Sequence, residues 1–263
     1  MAVLRLTREE AAEADARLAD ASPQEVLAWG LEHFHPGISL ASSFGAEDVV
    51  LIDMLYRLNP QARVFSLDTL RLHTETYDVV DRIRQKYGTD LEILYPDLQA
   101  VDQMVKAHGY NCFYETVDFR KMCCGIRKVE PLNKLLATLD AWTTGIRRNQ
   151  TTTRTETPKV EWDEVHDGMI KLNPLADWST EQVWDYIRAN DVPYNVLHDA
   201  GFPSVGCAPC TRAITPGEDP RAGRWWWELD GYDKECGIHI GQDAAGKPIV
   251  IRAQKINEAP TVF

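Results

Sequence analysis

From Gly37 onward, short apolar runs alternate with stretches whose apolar residues recur at helical spacing, and this alternation constrains the fold more than any other feature. Gly37 to Ser42 is a short apolar run ending in small residues and reads as a buried strand. Ala46 to Leu58 follows, with Val49, Val50, Ile52, Leu55 and Leu58 on a helical period. Strand candidates return at Arg63 to Leu67 and at Leu91 to Tyr95, where Pro96 stops the run. Between them a helix is expected over Thr74 to Tyr87, stopped by Gly88. A helix around Leu98 to His108 ends at Gly109, and Ser179 opens another over Thr180 to Ala189. Ala141 to Thr144 and Met169 to Leu172 are the later strand candidates. Such a chain forms an α/β fold: right-handed crossovers build a mostly parallel sheet with helices on both faces. Ligands of these sheets sit beyond the carboxyl ends of the strands.

Ahead of the alternation, Thr7 with Glu10 and Ser22 with Glu25 fit capping boxes, and Pro23 suits a first helical position. Both helices are expected on the outside of an α/β domain over residues 1–200. Beyond Gly201 the chain is rich in Gly, Pro, Cys and Trp, and residues 201–263 read as a loop-rich C-terminal segment that carries function. The net charge of -12 makes nucleic acid and anionic membranes poor partners, so an anionic ligand needs a local basic pocket. The opening MAVLRLTREE has no basic stretch followed by an apolar run, and no apolar stretch is long enough to span a bilayer. A cytoplasmic location follows as the expectation. Thiols stay reduced there, so six cysteines suggest metal binding or catalysis more than disulfides.

Four groups of residues carry chemistry. The loop Ser42-Ser43-Phe44-Gly45 joins the first strand to its helix, and its small residues let backbone N–H groups approach a phosphate near a positive helix end. It serves equally as a plain strand-to-helix turn. Cys123-Cys124 with Cys207-Ala208-Pro209-Cys210 can close around one metal centre. Adjacent cysteines are cramped on one tetrahedral zinc and suit a cubane better, each binding its own iron. As plain core residues beside a redox-active pair they would do neither. Lys234-Glu235-Cys236-Gly237-Ile238-His239 offers a thiol with cationic neighbours, either a nucleophile or an incidental surface thiol. Arg147, Arg148, Arg154, Arg221 and Arg224, with Lys128, supply forks and a point charge for phosphate or sulfate oxygens, unless they only form a solvated face. Cys112 reads as a buried small residue and Trp225-Trp226-Trp227 as core packing. His198 carries no spacing signal, and His73 suits a ligand or a structural contact equally.

These segments resemble, in order, the motifs of the sulfonucleotide (APS/PAPS) reductase family, on the side of its bacterial assimilatory adenylylsulfate (APS) reductases. They are Ser-Ser-Phe-Gly-Ala-Glu-Asp at Ser42, Leu-Asp-Thr-Leu-Arg-Leu-His at Leu67, Cys-Cys-Gly-Ile-Arg-Lys-Val-Glu-Pro-Leu at Cys123 and Thr-Gly-Ile-Arg-Arg-Asn-Gln at Thr144. Lys-Leu-Asn-Pro-Leu-Ala-Asp-Trp-Ser at Lys171, Gly-Cys-Ala-Pro-Cys-Thr-Arg at Gly206, Arg-Ala-Gly-Arg-Trp-Trp-Trp-Glu at Arg221 and Glu-Cys-Gly-Ile-His at Glu235 complete the series. The resemblance implies an adenine-nucleotide α-hydrolase-like sheet with a modified pyrophosphate loop. It implies one [4Fe–4S] cluster on Cys123, Cys124, Cys207 and Cys210. It makes Cys236 the nucleophile, beside His239 in the same motif, attacking the sulfur of APS, releasing AMP and leaving an S-sulfonate. A thioredoxin, or glutaredoxin, thiol then releases sulfite. Ser42, Ser43, Gly45, Asp68, Thr69, Arg71, Lys128, Arg147, Arg148, Arg154, Arg221 and Arg224 fall on its substrate-binding positions.

The chain departs from the family's usual pattern at Leu70, where glycine is common, and at Asn149 and Thr151-Thr152-Thr153, beside Arg154. The alternative readings of the same residues are a 3′-phosphoadenylyl sulfate (PAPS) reductase, which typically lacks the paired cysteines, an ATP-dependent adenylating enzyme of the same fold, and a metal-clamped binding or redox-sensing protein. The sequence is compatible with a homo-oligomer.

Overall fold

The structure, a computed structural model, describes residues 5–150 and 154–228. The elements run α1 (Arg8–Leu18), α2 (Pro23–Phe34), β1 (Ile38–Ser42), α3 (Ala46–Leu58), β2 (Arg63–Leu67), α4 (Thr74–Tyr87), β3 (Glu92–Leu94) and α5 (Leu98–His108). Then come α6 (Val117–Cys124), a π-helical turn (Gly125–Val129), α7 (Glu130–Leu136), β4 (Ala141–Thr143), β5 (Val160–Asp163), β6 (Met169–Leu172) and α8 (Thr180–Ala189). Both expected capping boxes form, as does a third at Ser179 with Gln182. Gly88 ends α4 in the left-handed region, at φ 63.

The six strands order β3-β2-β1-β4-β6-β5, with β1 to β4 and β6 parallel and β5 antiparallel to β6. Alternation along the strands divides the core. Leu40 of β1 and Val64 of β2 face α2, α3, α4 and α8. Ile38, Ala141, Ile170 and Leu172 on the same side meet α1 and α2. Phe65, Trp142 and Met169 point the other way, onto Leu132, Leu135 and Leu136 of α7. The mostly parallel α/β sheet with helices on both faces is therefore present. Nearly every residue of α3 from Ala46 to Tyr56 is buried; most are apolar, and the buried Asp53 carboxylate accepts from Arg57, Tyr87 and Tyr186, while α8 closes over the outer side of the helix.

Three elements differ from the sequence expectation. β3 is shorter than Leu91 to Tyr95 and only half-buried, as an edge strand. β5 was not expected; its Val-Glu-Trp-Asp owes its extended shape to pairing with β6. The helical run through Cys123 and Cys124 was also not expected, and it passes through the π-helical turn to Pro131 in the first turn of α7. Residues 201–228 are mostly turns. They are tied back by Ala208 N–H to the Arg71 carbonyl at 2.8 Å, Tyr114 OH to the Pro209 carbonyl at 2.6 Å, and a Thr211–Arg224 bridge. No helix among the described residues is long and apolar enough to cross a membrane.

Candidate functional site

The strand order places β2 and β3 on one side of β1, and β4, β6 and β5 on the other. The loops leaving the carboxyl ends of β1 and β4 therefore diverge and open a crevice. The first of these loops is built by its own side chains. Phe44 takes φ 59, and its N–H donates to Ser42 Oγ at 3.0 Å. Ser43 donates through both N–H and Oγ to the Asp48 carboxylate, at 2.7 and 2.8 Å. Burial pushes the Asp48 carboxyl up to about 6, even against those donors. Gly45 caps α3 without a side-chain acceptor, so the backbone of the first turn borders the crevice. Across it, Gly145 must be small: a Cβ there would stand 2.5 Å from Asp48 Oδ1 and 2.9 Å from Glu47 Cβ.

The resulting cleft has about 1620 Å³ of open space. Of the residues singled out from sequence, Ser42, Ser43, Gly45, Thr69, Lys128, Arg147, Arg154, Arg221 and Arg224 line it. Three do not. Asp68 accepts from Leu70 N–H at 2.8 Å and Tyr77 OH at 2.9 Å, shaping the turn after β2. Arg71 reaches the Tyr110 carbonyl and Asn111 Oδ1, beside the ring of Phe113. Arg148 donates to the Thr157 carbonyl. Arg147 lines the cleft but is engaged by Glu47 at 2.8 Å, the Trp178 carbonyl and Thr180 Oγ1. Arg224 donates to Ser204 Oγ at 3.1 Å, and a Cβ at Gly206 would stand 2.4 Å from its Nη2.

A second pocket adjoins the cleft. Cys123, Cys124, Cys207 and Cys210 line it together, with Arg71, Arg120, Arg127 and Lys128 around them. Lys128 lines both spaces. Thr69 Oγ1 lies 3.2 Å from Cys207 Sγ. Burial pushes the Cys207 thiol up, but Lys128, the Thr69 hydrogen bond and two guanidiniums outweigh it and leave the thiol lowered. Burial, then the neighbouring Cys207, pushes Cys210 up to about 12. Among the described residues no three His, Cys, Asp or Glu side chains converge on a single metal ion. A polynuclear cluster asks for a wider ring, one thiolate per iron. Four sulfurs in one pocket, with cations to offset an anionic cluster, fit that requirement in donor chemistry. Cys112 is buried against Met104 and Ile126, as a small core residue. Trp225 is core, while Trp226 and Trp227 pack on Tyr114. Cys236 and His239 lie outside the described residues.

A family model described as the phosphoadenosine phosphosulfate reductase domain matches residues 37–213, from β1 through both cysteine pairs. The chain belongs to this family. A relative from Burkholderia cepacia named adenosine 5′-phosphosulfate reductase is 53% identical over 206 residues, covering 78% of this chain and 82% of that protein. A solved phosphoadenylyl-sulfate (PAPS) reductase from Candida auris, in a phosphate complex, superposes with TM-score 0.69 at 31% identity, over 81% of this chain and all of that one. Candida glabrata FMN adenylyltransferase bound to ATP superposes with TM-score 0.52 at 15% identity, over 82% of this chain and 71% of that one, a likeness of fold.

Within the family frame the cleft also holds residues that sequence reading passed over. Asp48, inside the matched loop motif, organises that loop. His198 lines the cleft, with Nδ1 2.8 Å from the Phe202 carbonyl and Nε2 buried without a hydrogen-bond partner among the described residues. Since a carbonyl only accepts, Nδ1 carries the proton, and burial lowers the ring's pKa and keeps it neutral. Nothing in the local sequence marks His198; only its place in the fold does.

Proposed function

We propose that this chain reduces adenylyl sulfate to sulfite and AMP, with Cys236 as nucleophile. One observation carries the reading: the four cysteines share a pocket, and Lys128 lines both that pocket and the cleft at the strand ends. Relatives named adenosine 5′-phosphosulfate reductase support the choice of substrate. The Ser42–Gly45 loop and the first turn of α3 take a phosphate, and Lys128, Arg221 and Arg224 take the remaining anionic oxygens. Neutralising those oxygens opens the sulfate sulfur to an anionic nucleophile. The Cys236 thiolate forms a sulfur–sulfur bond as the bond from sulfur to the bridging phosphate oxygen breaks, and AMP departs with that electron pair. The Cys236 S-sulfonate then yields sulfite when an external dithiol, such as thioredoxin, attacks the Cys236 sulfur. The two electrons come from that dithiol, which ends as a disulfide. Cys123, Cys124, Cys207 and Cys210 would hold a [4Fe–4S] cluster, which supplies local charge and a covalent tie between two distant segments.

The deciding experiment is the intact mass of anaerobically purified protein mixed with APS, or separately with PAPS, without thiol. One added sulfonate with APS, absent in Cys236→Ser, is the expected result. A stronger adduct with PAPS keeps the mechanism and moves the substrate. No adduct with either, in protein that holds iron and binds AMP, sinks the reading and favours an adenylating or binding role.

A further inference from the structure

Helix α6 carries Arg120 as well as Cys123 and Cys124, and Arg120 makes the most deeply buried ion pair described. Its Nε and Nη2 donate to the two carboxylate oxygens of Glu228 at 2.8 and 3.0 Å. The side chains are 1% and 2% exposed, and 108 residues of chain separate them. The ring of Trp225 lies beside this pair and is shared: the guanidinium carbons of Arg120 and of Arg224 each stand 4.8 Å from its centroid. Trp225 itself is 1% exposed and holds φ 43, a backbone region that a bulky residue enters only under constraint. The Trp225 backbone N–H donates to the Cys210 carbonyl at 3.2 Å, and the Glu228 N–H closes a turn onto the Trp225 carbonyl at 2.9 Å. Arg120 thus touches the cysteine pocket on one side and residues 225–228 on the other.

A buried pair of this kind contributes little net stability, because desolvation cancels most of the attraction. What it does contribute is a single geometry. Here that geometry sets where the chain leaves the described fold, and Cys236 follows Glu228 by eight residues (236 minus 228). Eight residues span at most about 29 Å when fully extended, so the exit point bounds where the thiol can be delivered.

We infer that Arg120 and Glu228 are positioning residues for Cys236. Their ion pair, packed on the constrained Trp225, anchors the base of the C-terminal segment to the helix that bears Cys123 and Cys124. The inference rests on the reading of Cys236 as nucleophile.

The test uses full-length, anaerobically prepared protein as wild type, Glu228→Gln, and the double variant Arg120→Met with Glu228→Leu, which removes both buried charges together and keeps the site filled. Iron content, AMP affinity and the single-turnover rate of Cys236 sulfonation by APS are read for each. Both variants are expected to hold iron and to bind AMP within about twofold of wild type, while sulfonation slows by about tenfold or more, since small misplacements of a reacting group cost that much. A variant that holds iron and AMP but sulfonates at the wild-type rate overturns the inference. So does a parallel fall of iron, AMP affinity and rate in both variants, which would make the pair a prop for the pocket. A wild-type protein that never sulfonates defeats the underlying reading instead, and the two failures are distinct.

Discussion

Leu70 adopts φ 60, the left-handed region, where a side chain crowds the backbone. Its N–H is held by Asp68 Oδ1, and the residue is 41% exposed, so its side chain gains little from burial. The conformation costs about 1–2 kcal/mol for a non-glycine residue. Glycine would recover that and lose about 0.4–1 kcal/mol of it to the freer unfolded chain. Leu70→Gly should therefore stabilise the protein by roughly 0.5–1 kcal/mol, read as a rise of a few degrees in Tm; a fall would show that the Leu70 side chain supports the turn. The sequence shows the departure from the family's usual glycine but not the dihedral that gives it meaning. Arg71, one residue on, illustrates the same limit. Its motif position suggested the substrate, yet its guanidinium turns to Tyr110 and Asn111 and to the cysteine pocket. A motif places a backbone; where a long side chain points is decided by neighbours far away in sequence.

At the scale of elements, the unit β1–loop–α3 was legible because its signals are local: an apolar run, small residues, then a helical period. The same holds for α4 and α8, whose limits match expectation to the residue because Gly88 and the Ser179 box act on their own neighbours. β5 was not legible, since its form depends on β6. Nor was the state of Asp48, which depends on what Gly145 lets approach it. Asp48 titrates at about 6 when folded against an ordinary 3.8, because burial penalises its charged form. Folding therefore takes up a proton between those values, and this group favours the folded state increasingly as pH falls through that window. An asparagine there has no such dependence. The Tm of wild type minus that of Asp48→Asn should rise as pH drops from about 7 to about 5. A flat difference would mean that the Ser43 donors hold the carboxylate ionised throughout.

Across the whole molecule, an acidic chain of net charge -12 gathers Arg71, Arg120, Arg127, Lys128, Arg221 and Arg224 around two adjoining spaces. The segment after Gly201 supplies two of the pocket's cysteines, and from the same stretch Gly206, Arg221 and Arg224 reach the cleft. Between 201 and 228 that stretch is held by turns and scattered backbone bonds rather than by the ladder of a long helix or a sheet. The proposed cluster, by bridging the cysteines, would therefore also help to assemble one wall of the cleft. Cys207→Ala with Cys210→Ala should lose iron and its colour. It should also lower Tm, expose residues 201–228 to protease, and weaken AMP binding, although neither cysteine lines the cleft. Full iron in the double variant would remove both residues from the ligand set. Lost iron with wild-type AMP affinity would show that the cleft stands without the cysteine pocket, and that Lys128 and Arg224 are placed by the protein core alone.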